Sequence, residues 1–166
     1  MEISLLSDRY LVRRMTKDDI VEIYALCRNN TLYYRYCPPF VTQGSIESDM
    51  RALPPDKRYS DKYYLGYYDG ERLIAVMDLV LRYPDKDTAF IGFFMTDISI
   101  QNVGIGSGII ETLCSCLKSH GFSRIRLGWV KGNPQAERFW KKNLFIETGT
   151  TYETDGHSVV VAQRML

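Results

Sequence analysis

The spacing of apolar residues changes repeatedly along the chain, and each change marks an element. Arg9–Arg14 reads as a strand, and Thr16 follows as a helix N-cap with Asp18 and Asp19 placed to favour the helix dipole. Ile20, Ile23, Tyr24 and Cys27 then recur at helical spacing. A second helix is expected from Ser45 to Leu53, where Pro54-Pro55 stops the hydrogen-bond ladder. Between these helices, Asn29–Val41 is an aromatic-rich connection.

The middle of the chain switches to strand patterns. Lys62–Tyr68 and Arg72–Arg82 flank Asp69-Gly70, a strong hairpin signal, and should pair antiparallel. Thr88–Ile98 is nearly continuous in apolar residues and reads as a central strand covered on both faces. A glycine-rich loop, Gln101–Gly108, then leads into Ile109, Ile110, Leu113, Cys114 and Leu117 at helical spacing, with Gly121 placed to end the helix. Arg124–Val130 is a further strand. Asn133-Pro134 supplies an N-cap and an N1 proline for a helix carrying Ala136, Phe139 and Trp140 on one face. Phe145–Tyr152 and Ser158–Met165 flank Asp155-Gly156 as a last hairpin. The order β, α, α, β, β, β, α, β, α, β, β, without repeats or linkers, predicts one mixed α/β domain over residues 1–166.

Composition narrows the function classes. At 45% hydrophobic and 25% charged residues the chain can bury a core, and its net charge of +1 points to neither nucleic acid nor an anionic membrane. The longest apolar runs, Leu73–Leu81 and Ala89–Met95, fall short of a membrane span, which needs about 20 residues. Glu2 and Asp8 near the start argue against a secretory leader, so the cytoplasm is the expected location. Cys27, Cys37, Cys114 and Cys116 show no C-x-x-C spacing, and with only two histidines no metal site is expected. The cysteines read as reduced core thiols. His120 suits a helix C-terminus, and His157 falls in the hairpin turn. Val159–Val161 could pair with another subunit, though an intrachain strand is simpler; monomer and homodimer both stay open.

The loop Gln101–Gly108 carries the chemistry. Glycines at the mouth of a helix expose backbone N–H groups at the positive end of its dipole, a geometry that binds phosphate. No Gly-Lys-Ser/Thr follows, the dinucleotide fingerprint is incomplete, and Ile105 and Ile109 stand where a hydrolase elbow around Ser107 needs glycine. Gln101, Gly104 and Gly106 instead resemble the Gln/Arg-x-x-Gly-x-Gly/Ala signature of the GNAT N-acetyltransferase superfamily. The downstream Asn133 and Ala136-x-x-Phe139-Trp140-x-x-x-Leu144-Phe145 are similar to that family's asparagine and its closing helix.

The resemblance implies a mostly antiparallel twisted sheet flanked by helices, with central strands splayed into an acyl-CoA cleft. It implies acetyl-CoA, or another short acyl-CoA, as co-substrate and transfer to a primary amine of a small molecule or peptide. Phe94, Met95 and Thr96 match the strand end that meets pantetheine. Val103, Gly104, Ile105, Gly106, Ser107 and Gly108 match the pyrophosphate cradle, and Asn133 matches the residue that touches the pantetheine arm. Arg138, Lys141 and Lys142 could meet a 3′-phosphate or form a solvated basic face.

Departures from the family pattern bear on mechanism. Trp140 stands where many members carry a tyrosine acid, and an indole N–H cannot give up a proton at a relevant pH. Phe90 replaces a glutamate base of certain members, and Leu144 replaces a frequent glycine. An acyl-CoA-binding regulatory or degenerate domain is therefore the alternative reading. Asp78, charged within an apolar strand, is a candidate base, with a structural carboxylate as its alternative; Asp97 suits a turn. Acceptor recognition in the family falls to the first helices and their connection, where Tyr33 and Tyr34 combine apolar area with a polar tip.

Overall fold

A computed structural model describes residues 2–154 and 156–166. Its strands are β1 (Leu11–Arg14), β2 (Lys62–Asp69), β3 (Arg72–Leu81), β4 (Thr88–Thr96), β5 (Arg124–Val130), β6 (Ile146–Thr154) and β7 (His157–Met165). Its α-helices are α1 (Ile20–Cys27), α2 (Thr31–Tyr36), α3 (Gln43–Arg51), α4 (Ile105–Ser119) and α5 (Pro134–Lys142). One sheet runs β1-β2-β3-β4-β5-β7-β6, and only the β4–β5 pair is parallel. The expected mixed α/β class and its mostly antiparallel sheet are therefore observed. Val159–Val161 pairs within the chain, against β5 and β6.

Each face of the sheet buries its own apolar set. Ile109, Ile110, Leu113 and Leu117 of α4 pack with Leu65, Met77, Leu79 and Leu127, and Trp140 and Phe145 extend the same core. On the opposite face, Ile23 and Leu26 of α1 and Ile46 of α3 pack with Tyr64, Tyr68, Val76 and Met95. The two sets follow from alternation along the strands, where successive side chains point to opposite faces.

Most boundaries follow local signals. Thr16 caps a short 3-10 turn, Lys17–Asp19, with its N–H donating to Asp19 Oδ2 at 2.6 Å, and α1 continues from it. Helix α3 begins at Gln43, before the expected Ser45, because Thr42 and Ser45 form a reciprocal cap with both bonds at 3.0 Å. The main difference is α2, in the aromatic connection read as irregular. Thr31 and its three tyrosines are weak helix formers, and six residues give barely more than a turn. Tertiary contacts hold it: its N-cap Asn30 donates to Thr96 O at 3.3 Å, and Tyr33 packs edge-on against Phe93 of β4.

Strand β4 ends at Thr96, short of the expected Ile98, because Asp97 turns the chain and accepts from Ser99 N–H at 2.8 Å. Its first half is covered on both faces as expected, with Thr88 and Ala89 fully buried. Beyond Ile91 it is not. The β4–β5 ladder runs only from Thr88↔Arg124 to Ile91↔Leu127. At that point Asp78 faces Phe93 and Leu79 faces Ile91, leaving Gly92 as the extra residue of a bulge. A bulge bends its strand, and here β4 turns away from β5.

The hairpin β6–β7 forms as expected; Asp155 of its proposed turn lies outside the described residues. All four cysteines are free, and Cys27, Cys114 and Cys116 are buried as expected of core thiols. Cys37 is half-buried. Among the described residues no helix is long and apolar enough to cross a membrane, and none of the His, Cys, Asp and Glu side chains cluster as a metal site.

Candidate active site

The splay opens a cleft of about 770 Å³ between β4 and β5. From Gly92 to Thr96, β4 keeps β3 on one edge and has no strand on the other; β5 from Gly128 to Val130 keeps only β7. Backbone N–H and C=O groups on both facing edges are left for a ligand or water. An extended amide-bearing chain fits such edges as an added strand would.

At the top of the cleft stands the glycine loop. Gly104 precedes α4 with φ +91°, a backbone state that side-chain-bearing residues rarely adopt, and no atom lies where its Cβ would be. The first helical bond, Gly108 N–H to Gly104 O at 3.0 Å, leaves the N–H groups of Ile105, Gly106 and Ser107 ahead of it. A Cβ at Gly106 would stand 3.2 Å from the Phe139 ring and 3.4 Å from Thr96 Cγ2, so a side chain there would push the Phe139 ring back by a few tenths of an ångström. Gly104, Gly106 and Ser107 line the cleft. Val103, Ile105 and Gly108 do not; with Gly104 they line a smaller adjoining hollow of about 270 Å³, alongside Arg9 and Thr112.

A chain of side-chain amides crosses beneath the loop. Gln101 Nε2 donates to Asn30 Oδ1 at 2.7 Å and to Thr96 O at 3.3 Å, while Gln135 Nε2 donates to Gln101 Oε1 at 3.0 Å. Asn30, buried at the end of α1, donates in turn to Thr96 O at 3.3 Å and to Leu26 O at 3.2 Å. Gln101 thus joins the glycine loop, β4, α5 and the start of α2. Asn133 is buried with its Oδ1 accepting from Gln135 N–H at 3.1 Å and Ala136 N–H at 3.2 Å, as an N-cap should. Phe94, Met95 and Thr96 line the strand side of the cleft, and Asn133 and Trp140 line the side of α5.

Trp140 is one member of an aromatic stack, with ring centroids 4.9 Å from Phe139, 5.1 Å from Phe145 and 6.1 Å from Phe94. Of the three basic residues on α5, Arg138 and Lys142 line the cleft. Lys141 is instead held outside it, 2.6 Å from Glu137 and 2.8 Å from Glu147.

Asp78 takes a different place from the one its charge suggested. Its Oδ2 lies 2.6 Å from Lys62 Nζ, both side chains are nearly shut off from solvent, and Asp78 does not line the cleft. It stands behind Gly92, whose Cβ would come within 3.1 Å of the same oxygen. Burial pushes the Asp78 carboxyl above the ordinary carboxylate range although Lys62 pulls it down. Its Oδ1 is buried without a hydrogen-bond partner. The pair therefore braces the bulge that opens the cleft.

On the face of α1–α3 the cleft is walled by Tyr33 and Cys37 from α2 and its end, Phe90 and Phe93 from β4, and His157 and Val159 from β7. Tyr34 backs this wall, 5.0 Å from Tyr33, without lining the cleft itself. Sequence patterns alone missed Asn30, Cys37, Gln135 and His157. The position of His157 follows from strand parity: it shares a β7 face with Val159, whose side chain crowds Gly128 on β5. No Asp or Glu lines the cleft among the described residues.

The model of the acetyltransferase (GNAT) family matches residues 22–144. No curated protein matches the chain in sequence. Among solved structures, an acetyltransferase from Thermus thermophilus superposes with a TM-score of 0.75 at 18% identity, covering 95% of this chain and 97% of that one. The PaiA N-acetyltransferase from Thermoplasma acidophilum, in complex with coenzyme A, gives 0.64 at 18% identity, covering 95% and 99%. The ribosomal-protein-S18-alanine N-acetyltransferase from Escherichia coli gives 0.65 at 14% identity, covering 94% and 93%. These likenesses concern the fold, and they share the open sheet described above. With the family model spanning most of its length, the chain belongs to the GNAT acetyltransferase family.

Proposed function

We propose that this protein is an N-acetyltransferase that takes acetyl-CoA, or a related short acyl-CoA, and transfers the acyl group directly to a primary amine. The observation that carries this reading is the meeting of two features in one cleft: free strand edges at β4 and β5, and a glycine cradle of unbonded N–H groups at the start of α4. The first suits the amides of pantetheine and the second suits a pyrophosphate. Arg138 and Lys142 add positive charge on the side where a nucleotide phosphate would lie.

The chemistry needs one proton acceptor and no acidic side chain in the cleft. The amine nitrogen, as free base, bonds to the thioester carbonyl carbon; the C–S bond breaks, and CoA leaves as the thiolate. N–H groups on the free edge near Met95 can stabilise charge developing on the carbonyl oxygen. The amine also gives up a proton. With no carboxylate among the described residues that line the cleft, the base we assign is His157, whose imidazole can accept a proton. Asp78 serves the reaction from behind the wall by holding the bulge. Alignment of the two substrates supplies much of the acceleration, so loss of the tyrosine acid to Trp140 is compatible with turnover.

Calorimetric titration tests the reading. Acetyl-CoA and CoA should bind saturably in the micromolar range, about −8 kcal/mol. The double substitution Gly104→Asp, Gly106→Asp should abolish binding while circular dichroism stays native, because side chains and negative charge fill the cradle. Absence of binding by the unmodified protein, or unchanged affinity in the folded double variant, overturns the assignment. Binding with no acyl transfer to any amine would favour a regulatory domain.

A further inference from the structure

Apart from His157, the walls of the acceptor end carry no acidic or basic side chain among the described residues, and this restricts what can enter. An unbroken run of rings extends from solvent to the cleft: Phe40 lies 4.9 Å from Tyr34, Tyr34 lies 5.0 Å from Tyr33, and Tyr33 lies 5.8 Å from Phe93. The last two contacts are edge-on, leaving ring faces and edges for a further aromatic group. Burial pushes the Tyr33 and Tyr34 hydroxyls and the Cys37 thiol above their ordinary ranges, so all three stay neutral at any working pH. Across the cleft, Val159 and Phe90 continue the apolar lining.

Charges near this chamber are few. Arg138 and Lys142 belong to α5, at the nucleotide end, and repel a cationic acceptor that reaches so far. Asp78 is screened by Lys62. Asp49 of α3 is felt by Tyr33 and Tyr34, and burial pushes its own carboxyl above the ordinary range, but it does not line the cleft. A polyamine or lysine-rich peptide carries several cations, and each would need a carboxylate that the chamber lacks. A single amine on a ring-bearing skeleton brings one cation only, and that charge is lost when the amine becomes the free base that attacks. At about 770 Å³ the whole cleft is of small-molecule size, and part of it is reserved for pantetheine.

We infer that the acceptor is a small arylalkyl amine: one primary amino group on a short chain, with its ring against Tyr33 and Phe93. This rests on the acetyltransferase reading above and specifies its substrate class.

The test uses the full chain with acetyl-CoA and three probes: 2-phenylethylamine, spermidine and a short peptide with an N-terminal alanine. Loss of the thioester absorbance reports turnover, and CoA affinity is measured on the same preparation. The expected result is a kcat/KM for 2-phenylethylamine at least about tenfold above either other probe, since lost ring contacts and an unpaired cation each cost that much or more. Tyr33→Ala should narrow this preference by raising KM for 2-phenylethylamine. Phe93→Leu, which keeps an apolar core residue, provides a second reading should the first variant fold poorly. A preference for spermidine or the peptide overturns the inference, as does a preference untouched by both substitutions. Tight CoA binding with no turnover of the aromatic probe refutes the acceptor class alone, whereas absent CoA binding refutes the acetyltransferase reading and this inference with it.

Discussion

Replacing Lys62 by methionine isolates the brace behind the cleft. In the folded protein Lys62 Nζ and Asp78 Oδ2 are 2.6 Å apart, with side-chain exposures of 4% and 13%. Methionine fills much the same volume but leaves the carboxylate uncompensated, and Asp78 Oδ1 already lacks a partner. Removing one member of such a buried pair costs about 3–5 kcal/mol, whereas replacing both by apolar residues of similar size is about neutral. Lys62→Met should therefore lose about 3 kcal/mol or more at pH 7.5, and adding Asp78→Leu should restore most of it. The pH dependence has a definite sign. Burial holds the Asp78 carboxyl above its ordinary range, so its ionisation already costs stability as pH rises through the folded value. Without Lys62 the folded pKa rises further, so the deficit against the unmodified protein is largest near neutrality and shrinks as pH falls and Asp78 is protonated. Urea unfolding followed by tryptophan fluorescence at pH 7.5 and pH 5 measures the difference. A deficit below about 1 kcal/mol, or one equal at both pH values, would refute the brace.

Two further outcomes follow from single residues. Changing His157→Gln should lower kcat/KM by about 10²–10⁴ if its imidazole takes the amine's proton; a kcat/KM unchanged in the variant removes His157 from the chemistry. Leu144, exposed after α5 with φ +65°, occupies a left-handed position that disfavours a side chain. Leu144→Gly should stabilise by about 0.5–1 kcal/mol in thermal or urea unfolding, and a loss of stability would show that its side chain is needed there.

Local signals made half of this site readable. Glycines before a helix, an Asn-Pro helix start and an apolar central strand each announce themselves within a few residues, and the cradle, α5 and β4 stand where those signals place them. Gly92 is another matter. Its role depends on its having no partner in the β3 register, and a one-residue register difference is not written in either strand alone. Asp78 illustrates the consequence: as a charge in an apolar strand it suggested a base, yet register brings Lys62 to it and Gly92 between it and the cleft. Helix α2 was hidden for a related reason, since a six-residue segment with four weak helix formers acquires its shape by packing on Phe93 and through the Asn30 bond to Thr96, both partners distant in sequence.

The same logic explains why the cofactor end was more legible than the acceptor end. Phosphate is met by backbone N–H groups at a helix start, and the sequence must announce such a start with glycines and caps. The amine acceptor we propose would be met by side chains from α2, β4 and β7, brought to one sheet face only by the strand order. The two ends join through Gln101, whose amide bonds to Asn30 before α2 and to Gln135 on α5 while its neighbours form the cradle. A residue that matches a phosphate-loop signature thereby also fixes the helix that carries Tyr33. Substitution there should disturb cofactor and acceptor together, whereas changes at Gly104 or Tyr33 should fall mainly on one.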